Sequence, residues 1–346
     1  MHAIRVERRA AQTADLMGRV LCHELRDHEG RVAIAKGRVL DADDSQRALD
    51  LAWTELHLLA LDRDDVHEDE AGERIARAVA GEGTAVRTAS GGHWPIAATH
   101  RGLLGVDAQR LEEVNQLDGP CVYSLYDGQV VEAGETVARA KIIPFAVSTR
   151  VLRAAESILT GVRSAVRVRP FLPHRVAAVV HESMGKRAVD RFRDAVTEKI
   201  GWFGSALCAL ETTAPAVDSI ARAFDASASS GAQVVLVAGA KAMDILDPTF
   251  AALDHLGARM VGHGVPAHPG SLLWLAEWNG VPVVGMPTCG LFAQATVFDL
   301  VIARVLTGDP VGRRELASLG HGGYLTRDMA FRLPAYRAQA ERGAVE

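Results

Sequence analysis

The sequence predicts an α/β protein: a doubly wound, mostly parallel sheet in the C-terminal half, preceded by a smaller α+β and β-rich N-terminal region. Three observations carry this prediction. From residue 174 onward, short apolar runs alternate with helical patterns, the rhythm of strand–helix–strand units. Residues 234–237 are continuously apolar, as a strand covered on both faces requires. Asp247-Pro248 then sets an N-cap residue before a proline at the first helical position, a strong helix start.

The elements follow in order. RVAIAKGRVL, residues 31–40, reads as a hairpin, after which Asp41 or Asp43 caps a helix. ELHLLAL is a second apolar run, followed by a helix capped near Asp65 with acids in its first turn. Gly81, Gly83, Ser90, Gly91 and Gly92 form a linker that closes an N-terminal accessory region at 1–92. Residues 93–150 alternate apolar and polar around Asp127-Gly128 and Ala133-Gly134, as a barrel-like set of hairpins would. A helix at 149–162 and a linker holding Pro170 and Pro173 lead to an α/β domain at 174–308. Its strands are expected at 175–180, 205–210, 233–239, 258–264 and 281–287. Its helices are expected at 185–200, 216–229, 248–256 and 290–306, the third closed by Gly257. A glycine-rich tail at 309–346 has no evident role.

Composition narrows the function classes. The chain has 346 residues and a net charge of −5, with no dense basic run, so no footprint for nucleic acid or an anionic membrane is expected. No stretch approaches a membrane span, and the charged start has no apolar core of a signal peptide. Cys22, Cys121, Cys208 and Cys289 are far apart and read as reduced thiols, which implies a cytoplasmic protein.

Three loops leave the carboxyl ends of strands, where open α/β sheets bind ligands. They are HESMGK with His181, Glu182, Ser183 and Lys186; GAKAMDILD with Gly239, Ala240, Lys241, Ala242 and Asp247; and GMPTCG with Gly285, Pro287, Thr288, Cys289 and Gly290. Small residues let backbone amides approach an anion, and Lys186 and Lys241 can each neutralise a phosphate. Asp247 is a candidate to hold a Mg²⁺ ion or orient a ligand donor; N-capping alone also explains it, with one carboxylate oxygen left over. Cys289 reads more simply as an inert thiol than as a nucleophile, since no partner base is evident. His181, His263 and His268 match no zinc spacing. The acids Asp62, Asp64, Asp65, Glu68, Asp69 and Glu70 read as caps and a solvated face rather than a metal site. Trp274 and Trp278 read as core or subunit-contact residues, and a homo-oligomer is expected.

LVAGAKAMDILDPTF, VGHGVPAHPG and VPVVGMPTCGLFAQATVFDLVIARVLTGD, in this order and spacing, resemble the molybdopterin-binding domain of molybdenum-cofactor biosynthesis proteins. The resemblance covers about residues 174–308. It places Gly239 and Asp247 in the family's first loop, Gly264 and Pro266 in a second segment that continues to Pro269 and Gly270, and Gly285, Met286 and Pro287 in the third. The family's second glycine and hydroxyl residue are replaced by Ala240, Lys241 and Ala242, and its Gly-Asn-Pro by Thr288-Cys289-Gly290. The resemblance therefore implies a protein that binds molybdopterin, the molybdenum cofactor or a nucleotide derivative in cofactor maturation or delivery, with a molybdoenzyme or another biosynthesis protein as partner. It also admits an active adenylyl- or molybdenum-transferase with Asp247 as catalytic residue. A nucleotide-metabolism hydrolase of the competence-damage type is a third reading.

Overall fold

The computed structural model describes residues 1–88, 93–161, 163–181, 185–287 and 296–336. The chain divides into two compact units, Met1–Asp127 with Val131–Val168, and Gly128–Val130 with Arg169–Glu346.

In the first unit, His2–Glu7 and Val20–Leu21 flank Glu55–Ala60 in an antiparallel sheet. Leu16, Leu21, Leu40, Leu56 and Leu58 form its core beside a helix, Ala42–Asp50, that Asp41 caps. The hairpin expected at 31–40 does not form. Val32–Ile34 pairs with Leu25–Arg26 instead, because Asp27 accepts the amides of Glu29 and Arg31 and sets the turn earlier. The cap expected near Asp65 is His67, since Asp65–His67 is committed to pairing with Ala146–Ser148. A four-stranded antiparallel sheet joins Pro120–Ser124, Thr136–Ile142, His93–Ala98 and Thr84–Val86 in that order. Helices Glu68–Val79 and Thr149–Leu159 share its core through Ile75, Val79, Leu152 and Leu159.

The second unit carries the candidate site. Its elements are β1 (Arg175–Val180), α1 (Lys186–Trp202), β2 (Ala206–Thr212), α2 (Val217–Ser229), β3 (Val234–Ala238) and α3 (Pro248–His255). They continue as β4 (Arg259–His263), β5 (Trp274–Trp278), β6 (Val281–Gly285), α4 (Val297–Val305) and α5 (Arg313–Ser318). The sheet order is β2-β1-β3-β6-β5-β4. Ala177, Val179, Val235, Val237 and Val283 meet Ile220 and Phe224 of α2 and Leu253 of α3 on one face. The alternate residues Val176, Ala178, Leu236 and Val284 are also fully buried, so both faces are covered.

The α/β expectation holds, but the sheet is mixed and not the doubly wound parallel one expected, because one strand, β5, runs against the other five. β1, β2, β3 and β6 run parallel, but β5 is antiparallel to both β6 and β4. The reason is local. Asn279 and Gly280 both have positive φ, 50° and 79°, the two-residue turn that folds one strand straight back on the next. β5 is not among the expected strands, and Trp274 and Trp278 are buried on it, as core residues. Asn-Gly between Trp278 and Val281 is the hairpin signal that points to it.

Candidate functional site at the carboxyl edge of the sheet

The loop after β3 starts at Gly239, whose φ of +106° only glycine adopts readily, and ends at the N-cap of α3. Asp247 is buried, and both its carboxylate oxygens are engaged. Oδ1 accepts the Thr249 amide at 2.9 Å, the expected cap, and Oδ2 accepts the Lys241 amide, also at 2.9 Å. The expectation of a spare oxygen is thereby corrected: the loop curls so that its own backbone reaches the second oxygen. Burial pushes the Asp247 pKa up. Hydrogen bonds from the Thr249 side chain and from the Lys241 and Thr249 amides, with His181 nearby, outweigh burial and hold it below the ordinary carboxylate value.

This clamp leaves the loop with an exposed outer surface. Lys241 is exposed and makes no ion pair among the described residues. The amides of Ala240 and Ala242 donate no hydrogen bond to a described residue, while those of Asp244, Leu246 and Asp247 are satisfied within the loop. Met243, Ile245 and Leu246 are 82%, 86% and 84% exposed. His263, at the end of β4, donates from Nε2 to the Ala242 carbonyl at 2.6 Å and lies over Phe250, which braces the loop from the other side.

His181 lies just past β1 and is buried; its Nε2 pairs with Thr249 Oγ1 at 2.7 Å. The pair joins the carboxyl ends of β1 and β3 through the cap of α3. Thr249 was not among the expected site residues. A hydroxyl two places after an Asp-Pro helix start was its only trace in the sequence. Lys186 is exposed at the first position of α1, behind Gly185, with no side-chain cap and no acid in the first turn. That end of the helix keeps its positive potential.

The second segment is arranged differently. Gly264 and Gly270 have φ of +86° and +112°, and a Cβ on Gly270 would lie 2.7 Å from Val297. The tail covers this stretch. His268 donates its amide to the Gly323 carbonyl at 2.7 Å, Leu325 donates back to the His268 carbonyl at 2.8 Å, and Tyr324 stacks beside the His268 ring. Pro266 packs near Gly320, and the Pro269 carbonyl accepts the Val297 amide at 3.0 Å. The tail thus acquires a role that its composition did not disclose.

In the third segment Met286 donates its amide to Val237, and Pro287 is buried. A Cβ on Gly285 would fall 1.9 Å from the Trp274 indole, so packing alone demands this glycine. α4 begins at Val297, and Thr296 and Asp299 close a reciprocal capping box at its start. Glu182, Ser183, Thr288, Cys289 and Gly290 lie outside the described residues, as do residues 290–295 of the expected long helix.

The structure therefore brings His181, Gly239, Ala240, Lys241, Ala242, Asp247, Thr249 and His263 together by contact. Gly264, Pro266, Pro269 and Gly270 form a neighbouring segment held by the tail. Among the described residues, no group of three His, Cys, Asp or Glu is placed to hold a metal ion. No helix is long and apolar enough to cross a membrane among those residues.

No protein-family model and no curated protein matches the sequence. Among solved structures, the chain is similar to a molybdopterin biosynthesis MoeA protein of Pyrococcus horikosii at 14% identity, with 72% of this chain and 80% of that one covered and a TM-score of 0.30. A candidate molybdenum cofactor biosynthesis protein of Corynebacterium diphtheriae is similar at 11% identity, with 44% and 100% covered and a TM-score of 0.26. Likeness at this level assigns no function.

Proposed function

We propose that the chain binds a molybdopterin-type pterin phosphate at the carboxyl edge of this sheet and acts as a carrier in molybdenum-cofactor maturation. The order and spacing of the three sequence segments support the ligand class. The observation that carries the binding role is the state of the 239–247 loop. It offers two amides without described acceptors and one unpaired ammonium, the donors that a phosphate monoester needs.

The same loop favours carriage over catalysis. Transfer chemistry requires charge-stabilising groups positioned where charge develops, commonly with a metal ion. Asp247 spends both oxygens on backbone amides, so its geometry serves the loop rather than an ion. Lys241 is a mobile point charge, able to hold a ground-state phosphate without shaping a transition state. The exposed Met243, Ile245 and Leu246 beside it form an apolar rim suited to a recipient protein.

The test is mass spectrometry of ligand co-purifying with the chain from a molybdopterin-producing host. A stoichiometric pterin phosphate is expected; its absence, with the protein folded, would reject the reading. Multiple turnovers with molybdopterin, Mg²⁺ and ATP, or with adenylylated molybdopterin and molybdate, would replace the carrier by an enzyme.

A further inference from the structure

A cavity of about 740 Å³ opens at the opposite, amino-terminal edge of the same sheet. Its walls are the starts of β4 and β6, the end of β5, and the stretch between α4 and α5. None of these residues belongs to the site proposed above. The volume falls within the roughly 300–1,000 Å³ of ordinary small-molecule sites.

The chemistry of the lining is specific. Val261, Leu275, Pro282, Val305 and Val311 supply its apolar half, and His174, Gln233, Arg259, Glu277, Asp309 and Arg313 make the rest polar. Most charges at the rim are already neutralised. Arg259 pairs with Glu277, and Asp309 accepts Arg169 at 2.7 Å. His174 uses Nδ1 on the Leu172 carbonyl, and the Gln233 side chain accepts the Arg175 amide. Arg313 is different: it lines the cavity and has no hydrogen bond or ion pair among the described residues. A half-apolar chamber whose other rim charges are paired, with one exposed and unpaired guanidinium at its edge, suits a ligand with an apolar body and a single anionic head. A guanidinium presents paired N–H donors in the geometry of a carboxylate or sulfonate.

We propose that this cavity is a second binding site, for a small amphipathic monoanion such as an aryl or short acyl carboxylate. The site is distinct from the proposed pterin site, because the two lie at opposite ends of the strands and share no residue.

Anilinonaphthalene sulfonate, an apolar aromatic monoanion, is the probe, titrated by fluorescence into the full-length protein. One saturable site is expected. Arg313→Glu should weaken it by about tenfold or more, the range for a lost charge-assisted hydrogen bond. Arg313→Lys, which keeps the charge but not the paired donors, should fall between the parent and Arg313→Glu. Val311→Trp, which narrows the chamber with an indole, should weaken binding while circular dichroism shows an unchanged fold. The neutral analogue N-phenylnaphthylamine should bind at least about tenfold more weakly than the sulfonate. Because exposed apolar side chains can also attract the probe, Met243, Ile245 and Leu246 are changed together to Ser as a control, with binding expected to persist. The proposal is overturned if no saturable site exists, if the loop triple variant removes it, if Arg313→Glu leaves affinity unchanged, or if the neutral analogue binds equally well. Should Val311→Trp fail to fold, the Arg313 pair and the neutral analogue still decide.

Discussion

Two neighbouring segments at the carboxyl edge, 239–247 and 264–270, both hold expected site residues, and the structure holds them by opposite means. The first is held from within. A buried carboxylate ties its two ends together, and its outer side chains stay exposed. The second is held from outside, by backbone pairing of His268 with Gly323 and Leu325 of the tail. A loop clamped by a side chain leaves its own backbone donors and charges available. A segment clamped by another strand spends its backbone on that strand. Proximity to a strand end thus makes a residue a site candidate, but the means of support decides whether it is available to a ligand.

The largest effect should come from breaking the internal clamp. Asp247→Ala removes an N-cap and orphans the Lys241 amide, so a loss of about 2–4 kcal/mol is expected in urea unfolding. Asp247→Asn keeps the cap but replaces one acceptor oxygen by a donor, and should lose less than half as much. A loss below about 0.5 kcal/mol for the alanine variant would mean that the clamp is not structural.

The same clamp has a pH signature. The folded Asp247 pKa is depressed, so its contribution is complete above the ordinary carboxylate pKa of about 4 and fades as pH falls through the lower folded value. The stability gap between parent and Asp247→Asn should therefore shrink on acidification from about pH 5 to about pH 2. A gap that widens would reverse the sign and reject the assignment.

Next in size, Lys241→Ala should weaken binding of the pterin phosphate by about tenfold and flatten its salt dependence. An unchanged affinity and slope would remove Lys241 from the site. Leu325→Pro deletes one backbone bond to His268 and should cost about 1 kcal/mol. It should raise hydrogen exchange in the 264–270 segment while leaving the Lys241 amide protected, and equal exposure of both would erase the distinction between the segments. The smallest effect is on stability in Lys241→Ala, within about 0.5 kcal/mol, because the side chain is exposed and unpaired.

What could be read in advance was local. Asp41 and Asp247-Pro248 start helices, Gly257 ends one with φ of +69°, and the buried runs of β1, β3 and β6 are strands. These features follow from backbone preference and from burial on both faces, which act over a few residues. The Asn279-Gly280 turn belongs to the same class of signal, and so does the strand it implies.

The tertiary structure decided the rest. The second oxygen of Asp247 finds the Lys241 amide only after the five intervening residues have folded into a loop. His181 meets Thr249 across 68 residues of chain. The tail finds His268 through backbone groups that every residue type carries, leaving no mark in the side-chain pattern. Gly285, expected as a ligand-facing glycine, is required by an indole eleven positions earlier that reaches it only across the β5–β6 pairing. Each is a contact between groups whose chemistry was visible but whose distance was not, because side-chain type is a property of the chain and proximity is a property of its folding.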